Sequence, residues 1–163
     1  MATDLITKQE LIDNMRESGS ELVAAARRVS PERWPEGRYE EGWTAKDILA
    51  HVASIEWTYP KLLLLAAQPA PEDRDAEGRF RGGIGDYNQR RVDERRDRSV
   101  EELLAEFERN REATIAAVQE ADEALLRQRV RSAGAVEGTA AEVLNFLTVE
   151  HVGQHLDDLR GEG

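Results

Sequence analysis

The stretch 139–159, TAAEVLNFLTVEHVGQHLDDL, decides the fold class of this sequence. Its first four residues match a capping box, in which the Thr139 side chain accepts a hydrogen bond from a free backbone N–H and Glu142 bonds back. Apolar residues then recur at the spacing of one helix face: Val143, Leu144, Leu147, Val152, Leu156 and Leu159. The stretch therefore predicts an amphipathic helix whose apolar face packs into a core.

The same start signal occurs at three other places along the chain. It reads TKQE at 7–10, TAKD at 44–47 and SVEE at 99–102, and each copy precedes apolar residues at helical spacing. Pro60 lies inside the second apolar run and predicts a kink or break near 57–59, because proline lacks a backbone N–H. Four amphipathic helices of about 20 residues each predict an all-α protein that folds as a four-helix bundle.

The connection between the second and third helices, 68–98, is long enough to cross the bundle. Its first half is rich in Pro, Gly and charge and predicts an exposed loop, whereas 86–97 predicts an additional short helix. The second and third helices therefore need not be antiparallel neighbours. Another connection, 121–138, contains RQRVRS at 127–132, which is only a weak strand pattern.

Composition narrows the class of protein and of partner. A chain of 163 residues predicts one domain, 1–163, with a single core. With 33 acidic and 22 basic residues the net charge is −11, which disfavours nucleic acid and anionic membranes as partners. We find no secretory signal at the N-terminus and no apolar run near the ~20 residues of a membrane span, so we expect a cytoplasmic protein. The absence of cysteine excludes disulfides, thiolate ligands and a protein thiol nucleophile.

The three histidines of the chain are candidate metal ligands. His151 and His155 stand four residues apart on one face of the fourth helix, which neighbouring leucines turn toward the core, and His51 lies on the apolar side of the second helix. Three neutral imidazoles can hold a divalent ion and keep coordination positions open for water or a thiol. Alternatively, the pair is an ordinary, partly exposed one and His51 is a core histidine.

Two segments carry a family resemblance: GWTAKDILAHVASIE at 42–56 and VEHVGQHLDDL at 149–159. Together they resemble the DinB-like superfamily, in the branch that contains the metal-binding domain of mycothiol-dependent maleylpyruvate isomerases. The resemblance implies a bundle with a long crossover between helices two and three, frequent homodimers, and a divalent metal held by His51, His151 and His155. The larger isomerases carry a second, C-terminal domain. We expect this chain to lack that domain, because it ends shortly after Leu159.

The resemblance also implies a class of chemistry. Family members act as thiol-dependent transferases, isomerases or hydrolases, so we expect a metal that activates a low-molecular-weight thiol or a water to attack a small electrophilic substrate. The thiol would come from outside, since the chain has no cysteine. Zinc or nickel is the expected ion, although three imidazoles also suit copper and iron. The alternative is a non-catalytic bundle that binds a metal, a small ligand or a protein partner.

Four further residues are candidates for supporting roles, and no catalytic residue is assigned. Asp47 and Glu150 lie near the histidines in sequence and could orient an imidazole. Equally, Asp47 is the acid of a helix cap and Glu150 points about 100° away from its neighbour His151. Asn88 matches a position near the site in the resembling family and could bond substrate, or simply form a turn. Tyr59 could line the mouth of the pocket, or serve packing alone.

Overall fold

Eight α-helices and a small hairpin account for most of the residues that the computed structural model describes, 6–37, 42–76 and 83–160. The helices are α1 Lys8–Arg27, α2 Ala45–Glu56, α3 Pro60–Ala66, α4 Gly83–Glu94, α5 Val100–Glu120, α6 Glu123–Leu126, α7 Ala140–Asn145 and α8 His151–Arg160. A 3-10 turn covers Pro71–Arg74, and a π-helical turn, Phe146–Glu150, joins α7 to α8. The antiparallel strands are β1 Arg129–Arg131 and β2 Glu137–Thr139.

All four predicted helix starts are capping boxes in the structure. Thr7, Thr44, Ser99 and Thr139 each accept the backbone N–H of the residue three positions later, and the acid at that position bonds back. Each cap satisfies backbone donors that the helix itself leaves free, a contribution of about 1 kcal/mol. The expected break in the second helix is also confirmed: α2 ends at Glu56, and α3 begins at Pro60, where the missing N–H costs nothing.

The predicted fourth helix is not a continuous α-helix. In the π turn between α7 and α8, the N–H of His151 bonds to the carbonyl of Phe146, five residues back. The Thr148 carbonyl inside this turn accepts bonds from Ser18 and Arg111 on other helices. These donors are far away in sequence, so the apolar pattern of 139–159 gave no sign of the wider turn.

Contacts along the helices give the direction of each chain segment in the bundle. On α2 and α5, Ala53 bonds to Asn110 and Glu56 bonds to Thr114, so residue numbers rise together and the two helices run parallel. Asn14 bonds to Asn145 and Ser18 to Thr148, so α1 runs parallel to the fourth helix in the same way. Parallel neighbours require the long connection between helices two and three that the sequence predicted, and α4 within it packs on α2.

The core forms two clusters that follow each other along the bundle. One joins α2, the first half of α5 and α8, with Leu49, Leu104 and Leu156 among its buried members. The other joins α3, the second half of α5 and α7, with Leu62 and Ile115 among its members. The weak strand pattern RQRVRS contains β1, whose Val130 is buried in the second cluster. The strands of this hairpin contact α3 and α7.

Candidate functional site

The first candidate ligand, His51, lies in the middle of α2, the most buried helix of the bundle. Its flanking residues in the helix, Ile48 and Ile55 among them, are buried. The imidazole is itself only 4% exposed and packs against the indole of Trp43, with 5.1 Å between ring centroids. The apolar side of the second helix predicted in the sequence therefore does carry His51 inward.

The other two candidate ligands occupy the first turns of α8 and face the same imidazole. His151 and His155 are both half-buried, with 4.7 Å between their ring centroids, and the His51 centroid lies 5.9 Å and 5.2 Å from them. One nitrogen from each ring lies within 4.8 Å of the others. Within 6–37, 42–76 and 83–160, no carboxylate joins this group of three.

The donor atoms of the cluster suit a metal ion. Among the described residues, Nδ1 of His51 and both ring nitrogens of His155 are buried without a hydrogen-bond partner. Buried polar atoms of this kind are costly unless something binds them. Around a zinc ion, nitrogens at about 2.1 Å would lie roughly 3.4 Å apart, so side-chain shifts of about 1 Å would bring the three rings into coordination.

Burial also keeps these rings in the form that binds metals. It lowers the pKa of His51 to about 3, with the neighbouring His155 and His151 adding to the effect. Burial, followed by the proximity of His151, lowers the pKa of His155 to about 4. Both imidazoles are therefore neutral at pH 7. Each has one nitrogen whose lone pair is free to coordinate a metal without prior loss of a proton.

A cavity of about 370 Å³ opens beside His51 and His151. Its wall is mostly apolar, and in the described part of the chain Lys61 is its one charged residue, although the protein as a whole is rich in acids. α2, α3 and the π turn supply much of the wall, and α4 and the hairpin loop complete it. The main apolar residues are Ile55, Leu62, Leu65, Ile84, Val136, Phe146 and Leu147.

Two of the predicted supporting residues reach this cavity. Tyr59 is 3% exposed and lies in the wall, where burial, followed by the charge of Glu56, raises the pKa of its hydroxyl well above the usual value. Asn88 lines the opposite side from α4, and its Oδ1 is buried without a hydrogen-bond partner in the described ranges. That oxygen is an acceptor available to a bound molecule.

The other two predicted supporting residues lie away from the ligand atoms. Asp47 closes the cap of α2, where its Oδ2 accepts the Thr44 N–H at 3.1 Å and its Oδ1 lies 3.9 Å from Arg96 Nε. Glu150 is exposed to solvent at the end of the π turn. The role of either in orienting an imidazole stays a prediction.

The sequence reasoning missed a buried ion pair between α5 and α2, the helix that carries His51. Glu56 of α2 is fully buried and bonds through both oxygens to Arg111 of α5, at 3.0 Å each. The only sequence signal was a charged residue at the inward positions of two apolar helix faces. Charged residues are rarely buried, so such positions are normally read as the edge of the exposed face.

Comparison with known proteins supports this description of the fold. The family model of the mycothiol maleylpyruvate isomerase N-terminal domain matches residues 15–160. Among solved structures, the chain is similar to a mycothiol-dependent maleylpyruvate isomerase, with a TM-score of 0.74 and 21% identity over 98% of this chain. That match spans 63% of the isomerase, so the chain corresponds to part of its length.

A second solved structure matches along nearly the whole of both chains. It is YfiT from Bacillus subtilis, described as a probable metal-dependent hydrolase with an unusual four-helix bundle topology. The TM-score is 0.74 and the identity 14%, over 99% of this chain and 90% of that one. At these identities the two structures establish the fold of this chain, but they do not establish its activity. No curated protein sequence matches the chain.

Proposed function

Because the chain belongs to the family of mycothiol maleylpyruvate isomerase N-terminal domains, we propose that it is a metal-dependent enzyme of the DinB type. In this proposal, His51, His151 and His155 hold a divalent ion, with zinc or nickel as the first candidates. A divalent ion bound there would supply Lewis-acid activation of a low-molecular-weight thiol or a water, which would attack a small electrophilic substrate. The observation that carries the proposal is the convergence of the three imidazoles beside an apolar cavity.

The donor set suits this chemistry. A divalent ion held by neutral ligands keeps its full charge and, as a Lewis acid, lowers the pKa of a thiol or water that coordinates it. No carboxylate joins the three histidines in the described residues, so positions for such a molecule stay open. A filled set of protein ligands would instead favour a structural site.

The cavity suits a compact and mostly apolar substrate. Its wall contains no acidic side chain among the residues described, and its polar atoms are few. Asn88 Oδ1 offers an acceptor that would orient a substrate donor, and the Tyr59 hydroxyl, whose pKa burial raises further, is a proton donor at physiological pH. Apolar walls exclude water from the reacting groups and strengthen the electrostatic interactions inside.

Metal content is the first experiment. Tag-free protein should contain about one zinc or nickel ion per chain by plasma mass spectrometry, and His51→Ala and His155→Ala should both lose it. Gln154→Ala is the matched control, because Gln154 is exposed on α8 beside His155. Wild-type protein that takes up no zinc, nickel or manganese on incubation would refute the metal site.

Catalysis requires its own test. The metal-loaded protein is mixed with a thiol such as mycothiol and a panel of small electrophiles, and thiol consumption is followed against the His51→Ala variant. Histidine-dependent turnover supports the enzyme, whereas metal binding without turnover of any thiol or ester favours the non-catalytic binding module. For a substrate found in this way, Leu65→Gln in the cavity wall should raise KM about tenfold. Leu64→Gln, on the adjacent exposed position, should leave it unchanged.

Two expectations remain proposals about the whole protein: the homodimer that the resemblance implies, and the cytoplasmic location expected from the sequence. A homodimer is checked by sedimentation velocity at micromolar concentration. Cytoplasmic location is checked by fractionation of the source cells. In the described ranges no helix combines the length and the apolar character that crossing a bilayer requires.

A further inference from the structure

The buried pair of Glu56 and Arg111 lies where all the long helices of the bundle meet. Glu56 is 0% exposed and Arg111 is 4% exposed. Two bonds of 3.0 Å join the guanidinium to the carboxylate, and the hydroxyl of Thr114 donates to the same carboxylate at 2.8 Å. An ion pair taken so far from water is costly unless its hydrogen bonds are complete, so the further partners of Arg111 are informative.

Those partners lie on α1 and on the π turn. Nη1 of Arg111 donates to the carbonyl of Met15 at 2.6 Å and to the hydroxyl of Ser18 at 2.8 Å. Nη2 donates to the carbonyl of Thr148 at 3.1 Å, and the Ser18 hydroxyl donates to that same carbonyl at 2.7 Å. Two donors from outside the fourth helix therefore hold one carbonyl of its π turn.

This carbonyl has a direct relation to the histidines. The π turn ends where α8 begins, at His151, so the turn sets the angle at which α8 presents His151 and His155. A π turn is rare within a helix and persists where other contacts satisfy the displaced backbone groups. Glu56, at the other end of the pair, follows His51 on the same α2 helix. One ion pair thus connects both helices that carry the site.

We propose that the Glu56–Arg111 pair is a positioning element for the three-histidine site. The forked guanidinium group of Arg111 donates to the Thr148 carbonyl and so stabilises the π turn. The turn in turn fixes the rotation of α8 relative to His51. Without the fork, the turn relaxes toward an α-helix and the two imidazoles of α8 rotate away from the third. The inference rests on the proposed function for its metal readout, but the placement of the rings can be tested without metal.

The chain offers a matched control in a second buried ion pair. Arg95 and Glu106 are 5% and 7% exposed and form three hydrogen bonds of 2.7–3.1 Å. Among the described residues, the further hydrogen bond of Arg95 goes to the carbonyl of Arg91. Glu106 also accepts a bond of 3.1 Å from the exposed Arg98. Within the described residues the second pair is thus a buried arginine–carboxylate pair like the first, but its hydrogen bonds do not reach α2, the π turn or α8.

The experiment compares Arg111→Lys with Arg95→Lys, which keep the charge and lose the fork. Urea unfolding measures the stability of each, NMR of the histidine ring signals measures imidazole placement in metal-free protein, and chelator competition measures zinc affinity. We expect Arg111→Lys to shift the His151 and His155 signals and to weaken zinc binding about tenfold or more. Arg95→Lys should leave the signals in place and the affinity within about twofold.

The inference is overturned if Arg111→Lys leaves ring signals and affinity unchanged, or if Arg95→Lys alters them equally at a similar loss of stability. Should Arg111→Lys fail to fold, Ser18→Ala removes the hydroxyl bond to the Thr148 carbonyl and one bond from Arg111, and it leaves the Glu56–Arg111 pair in place. It should produce the same shifts at smaller amplitude, and unchanged signals would again overturn the inference. Wild-type protein that takes up no zinc, nickel or manganese would refute the proposed function, whereas the metal-free ring signals would still decide the positioning role.

Discussion

Metal affinity should change little with pH near neutrality, because two of the three imidazoles are already deprotonated in the folded protein. Burial lowers the pKa of His51 to about 3 and that of His155 to about 4. At pH 6 or above, neither ring carries a proton that a metal must displace. A pair of solvated imidazoles, by contrast, competes with protons around their usual pKa of about 6.5.

Buried and solvated imidazoles differ enough in the pH dependence of metal affinity for the difference to be measured. An imidazole with a pKa of about 6.5 is about 76% protonated at pH 6.0 and about 3% protonated at pH 8.0. Acidification over this range would weaken binding about fourfold for each such ligand, or about 16-fold for two. His51 and His155, with their lowered pKa values, contribute almost none of this change.

The assay is competition for zinc between tag-free protein and a chromophoric chelator at pH 8.0, 7.0 and 6.0, corrected for the titration of the chelator. Circular dichroism at each pH confirms that the protein remains folded. Calorimetry in two buffers with different ionisation enthalpies counts the protons released. A decline of about 16-fold or more, with about 1.5 protons released per zinc at pH 6.0, would show that at least two rings titrate normally. That result would refute the proposed neutral, buried site.

Three other results are expected. Acid should destabilise the metal-free protein. Because the pKa values of His51 and His155 are lowered in the folded protein, the unfolded chain binds more protons below about pH 6.5. The free energy of unfolding should therefore decline below that pH by up to about 1.4 kcal/mol per pH unit for each ring. Urea unfolding at pH 7, 6 and 5 will test this decline. Glu106→Gln leaves the buried Arg95 without its carboxylate and should lower the free energy of unfolding by about 3–5 kcal/mol, whereas the double change Arg95→Met/Glu106→Leu should cost much less. Thr139→Ala should cost about 1 kcal/mol through the lost cap of α7 and leave the metal content unchanged, and a loss of metal would contradict the local effect assumed here.

The parts of the fold that depend on neighbouring residues could be predicted from the sequence. Each capping box needs only four consecutive residues, so Thr44 and Asp47 predict the start of α2 without any information from the rest of the chain. Pro60 breaks a helix by its own covalent structure. The inward direction of His51 follows from the apolar residues around it, and the four-residue spacing of the histidine pair on α8 predicted its candidate partners. The family resemblance, confirmed by the family model, implied the same three residues.

The features that depend on distant residues could not be predicted in this way. Arg111 and Glu56 are 55 residues apart, and nothing near either indicates that they pair inside the core. The two donors to the Thr148 carbonyl in the π turn come from α1 and α5, also far away in sequence. The hairpin was only a weak pattern because strands of three residues carry too few alternations to read.

The topology places the proposed metal ligands and the residues that would contact substrate on different parts of the chain. Residues that hold the metal in our proposal come from α2 and α8, which the buried core fixes on both sides. Ile84 and Asn88 in the cavity wall come from α4, inside the long crossover that parallel neighbours require, and Ser132 comes from the connection between α6 and α7. Connections tolerate changes in sequence and length better than packed helices do. Substrate preference can therefore change through the crossover and hairpin loop while the metal ligands, and the Arg111 network that holds them, stay the same.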